Sequence, residues 1–269
     1  MNELLEKVER LVHKVGLFQM EHFRKVSLDN EGFKATRETV SFVDVDSERR
    51  LKEGLMKLKK EAGFFGEESG KEGSQHLTWI VDPLDGTTNY LSGIEHFSIS
   101  VALVENNEPI LGLIHKPSTG ESLGAANEEG CWRLDQRYTE KWEKMPKPNA
   151  NLPIKEALFM TGFPYRSHDL EDSFFNAAPE VLKLGLGIRR SGSAALDLAY
   201  LGMGWIQGFW ESDLQPYDAA AALLMMKEHG IVASNQNNEP YDMMRDRILV
   251  AGLPNVHPEL LKIVSLHYS

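Results

Sequence analysis

The sequence lacks the features that mark secreted and membrane proteins. It contains one cysteine among 269 residues, which excludes an internal disulfide and any multi-cysteine metal cluster. No apolar run approaches the ~20 residues that a membrane-spanning helix needs. The first residues, "MNELLEKVERLVHKV", carry glutamates where a signal peptide has a basic region. We therefore expect a cytoplasmic protein without membrane contacts, in which Cys131 is a small buried residue.

Basic charge is also scarce. Lysine and arginine together number 29 against 40 aspartates and glutamates, which gives a formal net charge of -11. This balance disfavours broad electrostatic contact with nucleic acid, so we expect no nucleic-acid partner. The 42% hydrophobic and 26% charged residues are typical of a globular protein. The excess acidic residues are candidates for holding metal ions.

Several familiar catalytic and binding motifs are missing. The run "RRSGSAA" does not form a nucleophile elbow, "GLGIRR" and "GMGWIQG" lack the dinucleotide-binding spacing, and there is no Walker-type lysine motif. Asp44, Asp46 and Glu48 resemble the start of a calcium loop, but its sixth position is Arg49 instead of glycine and its twelfth is Leu55. The nine histidines form no spaced metal pair, so we expect each to be a surface residue or a satisfied buried one.

The apolar pattern predicts a mixture of helices and strands. Helices are predicted over residues 2–25, 46–62, 167–185, 191–204 and 217–230, the last ended by Gly230. Strands are predicted over residues 77–82, 97–106, 109–117, 157–164 and 205–211, and the turn signals "ENNEP" and "KPSTGE" suggest an antiparallel meander. Residues 137–153 are polar and contain prolines, so they are the expected boundary between two halves. The order of elements indicates an α+β (mixed α/β) fold.

Two aspartates follow the strand-like run "LTWIV" in the stretch "DPLDGTTN". Pro83 fixes φ, so Asp82 and Asp85 can converge as a divalent cation requires, whereas a regular strand would point them to opposite faces. Gly86 permits a backbone angle that is closed to other residues. Thr87 suits the start of a short helix whose free amides would face an anion. Together these residue types predict a cation held against a phosphate.

Other acidic residues lie where they could complete such a site. Glu67 lies in "GEES", Asp218 begins a predicted helix, and Asp44 lies in "VSFVD". Oxygen donors without histidine or cysteine suit Mg²⁺ or Mn²⁺ better than zinc. Simpler explanations exist for each feature alone: "DPxDG" as a turn, "EES" as a solvated surface, Asp218 as a helix cap, and Asp44 as a cap or an ion-pair partner of Arg49 or Arg50. Their joint occurrence favours the metal site.

A series of segments in this order resembles the inositol monophosphatase family of Mg²⁺-dependent, lithium-sensitive phosphatases, and its bacterial members most closely. The segments are "VSFVD", "GEES", "WIVDPLDGTTNY", "HFSISVAL", "MTGFPY", "RRSGSAALDLAYLG", "GFWE" and "LQPYDAAA". The resemblance covers nearly the whole chain, and "DPLDGTTN" is a highly specific signature. It implies a layered αβαβα sandwich of the inositol monophosphatase/fructose-1,6-bisphosphatase type, commonly a homodimer. Residues 1–269 would form one catalytic domain, with a metal-binding half at about 1–145 and a substrate-binding half at about 150–269.

The resemblance also implies a cofactor, namely two or three Mg²⁺ ions per subunit, with Mn²⁺ as a possible substitute. One ion would be held by Glu67, Asp82 and the carbonyl of Leu84. A second would be held by Asp82, Asp85 and Asp218, so that Asp82 bridges the two ions. Asp44 is a possible ligand of a third, more labile ion.

Catalytic and substrate-binding roles follow from the same resemblance. Glu67 and Thr87 would position the attacking water and help to deprotonate it, with Asp44 supporting Thr87. The amides of Gly86 and Thr87 would bind phosphate. The segment "DNEGFKATRET" matches the family's active-site loop only loosely, so no role for Lys34 follows. The residues implied to contact substrate are Glu67, Leu84, Asp85, Gly86, Thr87, Gly192, Ser193, Ala194, Glu211 and Asp218.

The activity implied is hydrolysis of inositol monophosphate, or of a similar polyol phosphate, to inositol and phosphate. Alternatives on the same fold are 3',5'-bisphosphate nucleotidase, histidinol-phosphatase and fructose-1,6-bisphosphatase, and the sequence "GTTNY" argues against the first two. A non-enzyme alternative is a catalytically silent partner-binding protein. Because every expected acidic ligand position holds a carboxylate, we expect an enzyme whose partner is a small phosphomonoester.

Overall fold

The structure is a computed structural model that describes residues 2–25, 32–34, 38–74 and 76–268, without the side chains of residues 32–34 and 38–40. The loop of residues 29–39, including the Lys34 side chain, therefore lies largely outside the described residues. No helix of the described chain has the length and apolar character needed to cross a membrane. The described helices are α1 (Glu3–His22), α2 (Phe42–Leu58), α3 (Thr87–Leu91), α4 (Glu171–Leu184), α5 (Ala194–Gly202), α6 (Pro216–His229) and α7 (His257–His267).

Two large sheets organise the chain, beside a short ribbon of β1 (Gly32–Lys34) and β2 (Glu38–Val40). The strands of the first sheet are β3 (Gly63–Gly66), β4 (Gly70–Glu72), β5 (Leu77–Asp85), β6 (Ser98–Glu105), β7 (Glu108–Lys116), β8 (Glu121–Ala126), β9 (Gly130–Asp135) and β10 (Glu143–Lys144). They lie in the order β10-β9-β8-β7-β6-β5-β3-β4, and only the β3–β5 pair is parallel among these described strands. The meander predicted from the sequence is confirmed in β5 to β7.

The second sheet has five strands in the order β12-β11-β13-β15-β14. Its strand β11 pairs in parallel with β12 and β13, and the two pairs that contain β15 are antiparallel. The bounds of these strands are β11 (Leu158–Thr161), β12 (Gly187–Arg189), β13 (Gly208–Ser212), β14 (Val232–Ser234) and β15 (Ile248–Gly252).

The elements stack in five layers because successive side chains of a strand point to opposite faces of its sheet. In β5, Trp79 and Val81 pack under α1 and α2, while Ile80 joins the core on the other face. Helices α5 and α6 contact each other and lie between the two sheets. Helices α4 and α7 contact the outer side of the second sheet. The expected αβαβα sandwich is therefore confirmed.

One apolar core joins the two halves of the chain. Ile80 and Ile114 of the first sheet belong to the same buried cluster as Ala219 of α6 and Val250 of β15. We propose on this ground that the two halves form a single folding domain, with their boundary in residues 137–153.

Helix α2 begins earlier and ends earlier than the apolar spacing predicts. It covers Phe42–Leu58 instead of residues 46–62. The reason is a capping box, in which the backbone amide of Ser41 donates to Asp44 Oδ2 at 2.9 Å and the Ser41 hydroxyl caps the helix in return. The first turn is therefore stabilised by caps and not by apolar contacts alone.

Strand β5 continues to Asp85, three residues beyond the strand predicted from the sequence, although "DPxDG" alone would suggest a turn. Pairing with β6 shifts register between Asp82 and Asp85, so a bulge occupies this part of the strand. Pro83 lies in the bulge, where it donates no ladder hydrogen bond, and its carbonyl accepts one from Gln19 Nε2 at 2.7 Å. The bulge breaks the alternation that would otherwise separate the two aspartates.

The expectation that every histidine is a surface or satisfied residue is wrong for two described rings, since the buried atoms His13 Nδ1 and His96 Nε2 have no hydrogen-bond partner in the described structure. His115 is satisfied by Ser122 but forms an aromatic pair with His13. His115 on β7 is 1% exposed, and its ring centroid lies 5.5 Å from that of His13 on α1. Sequence spacing could not reveal this pair because packing of α1 on β7 brings distant segments together.

Candidate functional site

A cleft of about 390 Å³ lies at the end of β5, facing the second half of the molecule. Asp44 does not line this cleft and lies behind it. The other predicted site residues share this one cleft, which agrees with their predicted roles; those roles stay predictions. The predicted site residues that line it are Glu67, Asp82, Leu84, Asp85, Gly86, Thr87, Gly192, Ser193, Ala194, Glu211 and Asp218.

Three aspartates converge in the cleft. Asp82 and Asp85 come from the bulged end of β5, and Asp218 lies in the first turn of α6. One carboxylate oxygen of each lies within 4.8 Å of the other two, and all three residues are buried. Asp218 also accepts a hydrogen bond from the Gln215 amide at 2.7 Å, so the predicted capping role and the cluster occur together.

The electrostatics of the cluster favour a bound cation. Burial raises the pKa of Asp82 well above its ordinary value, and repulsion by Glu67, Asp85 and Asp218 raises it further. Burial, followed by repulsion from Asp218, raises the pKa of Asp85 from 3.8 to about 6. Carboxylates gathered in this way need a positive charge to remain ionised together. Because the donors are oxygens without histidine or cysteine, the residues fit Mg²⁺ or Mn²⁺.

Mg²⁺ is expected to raise the melting temperature more at about pH 7.5 than at about pH 5.5. Because Asp85 has a raised pKa in the folded protein, the metal-free fold loses stability as pH rises from 3.8 towards about 6 and this carboxylate ionises. Above about pH 6 Asp85 is ionised, so Mg²⁺ no longer competes with a proton for this carboxylate. Differential scanning calorimetry with Mg²⁺ and with a chelator measures the difference.

The buried histidines act in the opposite direction in the same pH range. Burial lowers the pKa of His115 to about 3, so protonation of the unfolded chain destabilises the fold below the ordinary histidine pKa of 6.5. The informative quantity is therefore the Mg²⁺-dependent increment and not the melting temperature itself. An increment that is equal at both pH values would contradict proton-linked metal binding at these carboxylates.

Asp85 connects the first sheet to helix α5. Its carboxylate accepts hydrogen bonds from the amides of Ala194 at 3.2 Å and Ala195 at 2.9 Å, and from the Ser193 hydroxyl. It therefore caps α5 at the same time as it faces the cleft. This contact fixes the predicted substrate-binding segment against the predicted metal ligands.

Asp44 lies behind the cleft and forms a second polar unit with Thr87, which lines it. The Thr87 hydroxyl donates to Asp44 Oδ1 at 2.9 Å and lies 3.0 Å from the Leu84 carbonyl oxygen. Burial raises the pKa of Asp44 to about 6, against the lowering effect of its hydrogen bonds to Ser41 and Thr87.

Asp44 also fulfils the simpler expectation of a helix cap, since it is the acidic member of the α2 capping box. The ion pairs with Arg49 and Arg50 are made by Asp46 instead, at 2.5 and 2.8 Å. Asp44 instead accepts the hydrogen bond from the Thr87 hydroxyl.

Gly86 lies where β5 turns into α3 and has a left-handed φ of 97°. A Cβ atom there would lie 3.0 Å from the Gly192 carbonyl oxygen and 3.2 Å from that of His96. Only glycine fits both the backbone angle and this close approach. The close contact between Gly86 and the Gly192 carbonyl holds the predicted phosphate-binding turn against the second half of the chain.

Gly86→Ala is expected to destabilise the protein more than Gly70→Ala. Gly70 has a similar φ of 71° but open space around it, so its substitution costs only the backbone strain, roughly 1–3 kcal/mol. Gly86→Ala adds a clash with the neighbouring carbonyls and should displace the turn, which lowers activity too. Urea unfolding and phosphate release measure both effects. Equal losses of stability in the two variants would show that the close contact of Gly86 with the Gly192 and His96 carbonyls does not contribute to the free energy of unfolding.

Sequence reasoning missed several residues in the cleft wall. Arg166 Nη1 lies 3.6 Å from Asp218 Oδ2. The Arg190 guanidinium stacks on Tyr165, 4.9 Å from its ring centroid, and lies 5.7 Å from that of Phe163. The only signals were "TGFPYRS" and "IRRSG", in which arginine follows a strand-like run. Neither segment shows by its spacing that it faces the acidic cluster.

Comparison with known proteins identifies the family to which this cleft belongs. The profile of the Inositol monophosphatase family matches residues 1–268. The chain belongs to the inositol monophosphatase family. An inositol-1-monophosphatase of Rhizobium meliloti (strain 1021) is 37% identical to it over 231 residues, which cover 84% of this chain and 83% of the relative. A fructose-1,6-bisphosphatase/inositol-1-monophosphatase of Aquifex aeolicus (strain VF5) is 33% identical over 249 residues, 92% of this chain and 90% of the relative.

A solved structure of the same fold supports the family assignment. The extragenic suppressor protein suhB from Bartonella henselae superposes with a TM-score of 0.88 at 28% identity, over 98% of each chain. The family resemblance and the fold predicted from the sequence are thus both confirmed.

Proposed function

We propose that this member of the inositol monophosphatase family is a metal-dependent phosphomonoesterase. It hydrolyses inositol monophosphate, or a similar polyol phosphate, to the alcohol and phosphate. The observation that carries the proposal is the convergence of Asp82, Asp85 and Asp218 on one cleft, with an oxygen of each within 4.8 Å of the others. Relatives whose names state this activity support it.

Mg²⁺ is the proposed cofactor, with two or three ions per subunit and Mn²⁺ as a substitute. Glu67, Asp82 and the Leu84 carbonyl would hold one ion, and Asp82, Asp85 and Asp218 a second. When bound, such ions lower the pKa of water, neutralise phosphate charge and stabilise the leaving alkoxide.

Thr87 and Glu67, which line the cleft, orient the attacking water with support from Asp44 behind them. The Thr87 hydroxyl donates its proton to Asp44, so its remaining lone pairs can accept a hydrogen bond from that water. Glu67 lines the same cleft and is the proposed group that takes up the water's proton. The role of Asp44 is to fix the Thr87 hydroxyl, because it reaches the cleft only through Thr87.

The amides of Gly86 and Thr87 are the proposed phosphate donors. They precede and begin α3, where the first amides of a helix have no intrahelical acceptor. Gly86 and Thr87 already line the cleft, so a phosphate can reach their amides without movement of β5.

The opposite wall would hold the polyol. Gly192, Ser193 and Ala194 lie at the start of α5, and Glu211 lies near the end of β13 and lines the same cleft. A Cβ atom at Gly162 would lie 1.9 Å from Glu211 Oε1, so glycine leaves the room that this carboxylate occupies. Burial raises the pKa of Glu211 well above its ordinary value, and repulsion by Asp218 adds to the increase. We infer that a carboxyl oxygen of Glu211 accepts a hydrogen bond from a hydroxyl of the substrate.

Fructose-1,6-bisphosphatase activity is a second candidate. Two observations favour it, namely the dual name of the Aquifex relative and the position of Arg166 and Arg190 in the cleft wall, where a second phosphate could bind.

A phosphate-release assay with Mg²⁺ separates the candidate substrates. Inositol 1-phosphate, fructose 1,6-bisphosphate, adenosine 3',5'-bisphosphate and histidinol phosphate are compared at equal concentrations. We expect the highest kcat/KM for inositol 1-phosphate. Faster turnover of the adenosine bisphosphate would overturn this choice of substrate, and faster turnover of fructose 1,6-bisphosphate would favour the second candidate.

The other proposals that follow from family membership are a homodimer, lithium inhibition and a cytoplasmic location. Light scattering of the purified protein tests the first, and phosphate release in the presence of Li⁺ tests the second. A catalytically silent partner-binding role is the less favoured alternative, because Glu67, Asp82, Asp85 and Asp218, the carboxylate ligands that the family resemblance implies, all line one cleft.

A further inference from the structure

A second group of metal-ligating side chains lies under helix α1, outside the cleft. Glu9 and His13 are four residues apart on α1 and therefore share one face of the helix. His115 of β7 lies against that face, and one ligand atom of each residue lies within 4.8 Å of the other two. Glu9 is 5% exposed, His115 is 1% exposed and His13 is half-buried. None of the three lines the cleft of the acidic cluster.

The polar atoms of this group are incompletely satisfied. The buried Nδ1 of His13 has no hydrogen-bond partner in the described structure. Glu9 Oε1 accepts a hydrogen bond from Gln136 Nε2 at 3.2 Å, the upper end of the usual range, and one from Ser122 Oγ at 3.5 Å, which is long for its type. A buried ring nitrogen without a partner next to a weakly bonded carboxylate is costly unless another group binds them.

The neighbouring residues hold the group in place. Ser122 Oγ lies 2.8 Å from His115 Nδ1, which fixes the orientation of the ring. Gly16 is one turn beyond His13 on α1, and a Cβ atom there would lie 2.9 Å from His115 Nε2. Helix α1 therefore approaches the imidazole closely only because this residue is glycine. Supporting contacts of this kind are the outer shell that metal-binding histidines usually have.

We propose that Glu9, His13 and His115 bind one divalent transition-metal ion of the Zn²⁺ class, separately from the ions of the acidic cluster. Two imidazole nitrogens and one carboxylate with a position left open are a donor set for Zn²⁺ or Co²⁺, whereas Mg²⁺ prefers oxygen alone. The ion would connect α1 to β7, the strand on which α1 packs.

The distances allow this after a small contraction. Ligand atoms around a tetrahedral ion with bonds of about 2.0–2.1 Å lie roughly 3.3 Å apart. The group must therefore close from separations of up to 4.8 Å. His13 is half-buried and supplies both the room for that rotation and the route by which the ion enters.

The test uses the full chain with Asp82→Asn, which removes the proposed bridging ligand of the acidic cluster. After treatment with a chelator, the protein is titrated with Zn²⁺ by calorimetry in excess Mg²⁺. We expect one equivalent of Zn²⁺ to bind. Adding His13→Gln should weaken binding by more than the about 10–100-fold that loss of an outer-shell contact costs. Co²⁺ should give the visible absorption bands of a tetrahedral site in the first protein and not in the second.

His22→Gln is the matched control, because His22 is also a histidine of α1 and lies at its last turn. It should bind Zn²⁺ as the unmodified background does, and circular dichroism should show that all three proteins are folded. Absence of a Zn²⁺ equivalent, or equal binding by the His13 and His22 variants, would overturn the proposal and leave the two histidines as a packing pair.

Discussion

Asp82→Asn is expected to lower kcat/KM for inositol 1-phosphate by at least about 10³-fold, since loss of metal-assisted catalysis removes several kcal/mol of transition-state stabilisation. The physical reason is that Asp82 would contact both ions. Its pKa is raised by the charges of Glu67, Asp85 and Asp218, so it interacts with every other proposed carboxylate ligand. The assay is phosphate release at saturating Mg²⁺, compared with the same assay in a chelator.

The same substitution should make the metal-free protein more stable. Removal of the Asp82 charge relieves repulsion in a buried cluster, and its only described hydrogen bond, from the Leu84 amide at 2.9 Å, can still be accepted by asparagine. A gain of about 1 kcal/mol would raise the melting temperature by about 2–4 °C. Mg²⁺ should stabilise this variant less than the wild type. Function and stability thus change in opposite directions, as at many active sites.

Asp46→Asn is the control for both measurements. Asp46 lies near Asp44 in sequence, but it forms exposed ion pairs on α2 that contribute little. Its substitution should leave turnover and the response to Mg²⁺ unchanged. If Asp82→Asn retained wild-type turnover, or lowered the stability of the metal-free protein, the assignment of Asp82 would be wrong.

Thr87→Val is expected to lower kcat by about 10²–10⁴-fold, the range of a lost general acid–base contribution, with little change in KM. Valine keeps the shape of threonine but removes the hydroxyl that bonds to Asp44. Thr87→Ser should recover most of the activity, because serine restores the hydroxyl. A purely structural role would not produce this separation of kcat from KM or this rescue.

Thr88→Val supplies the matched comparison. Thr88 is adjacent in α3, lines the same cleft and is exposed. Its substitution should change kcat by no more than a few-fold. Equal losses at positions 87 and 88 would mean that the effect comes from the helix and not from the hydrogen bond to Asp44.

Local sequence patterns were sufficient for the elements that alternate strongly or carry clear end signals. Strands β5 to β7 followed from their apolar runs and turns, and α6 ends at Gly230 as expected, with that residue at a left-handed φ of 72°. Strand β8, "ESLGAA", was not predicted individually because it is buried along its whole length and contains small residues, which gives no alternation. The start of α2 depends on a cap, which apolar spacing does not show.

Asp82 and Asp85 of the acidic cluster could be anticipated because they lie in one short segment with an unusual combination of proline, glycine and carboxylates. Arg166 and Arg190 could not, since both reach the cleft by packing of the second half against β5. The same is true of His13 and His115, which meet only when α1 lies on β7. Chemistry encoded within a few residues was readable from the residues themselves, and the distant Glu67 and Asp218 were assigned by the family resemblance. Contacts between distant segments that no motif marks were not found.

Crystals soaked in Mn²⁺ and measured at the manganese absorption edge test the central claim most directly. We expect anomalous peaks from Mn²⁺ within about 2.0–2.3 Å of the Asp82 carboxylate. One of them should be shared with Glu67 and the Leu84 carbonyl, and the other with Asp85 and Asp218. A fully occupied soak without a peak in contact with Asp82 would contradict the proposal that these carboxylates form a metal-dependent phosphatase site.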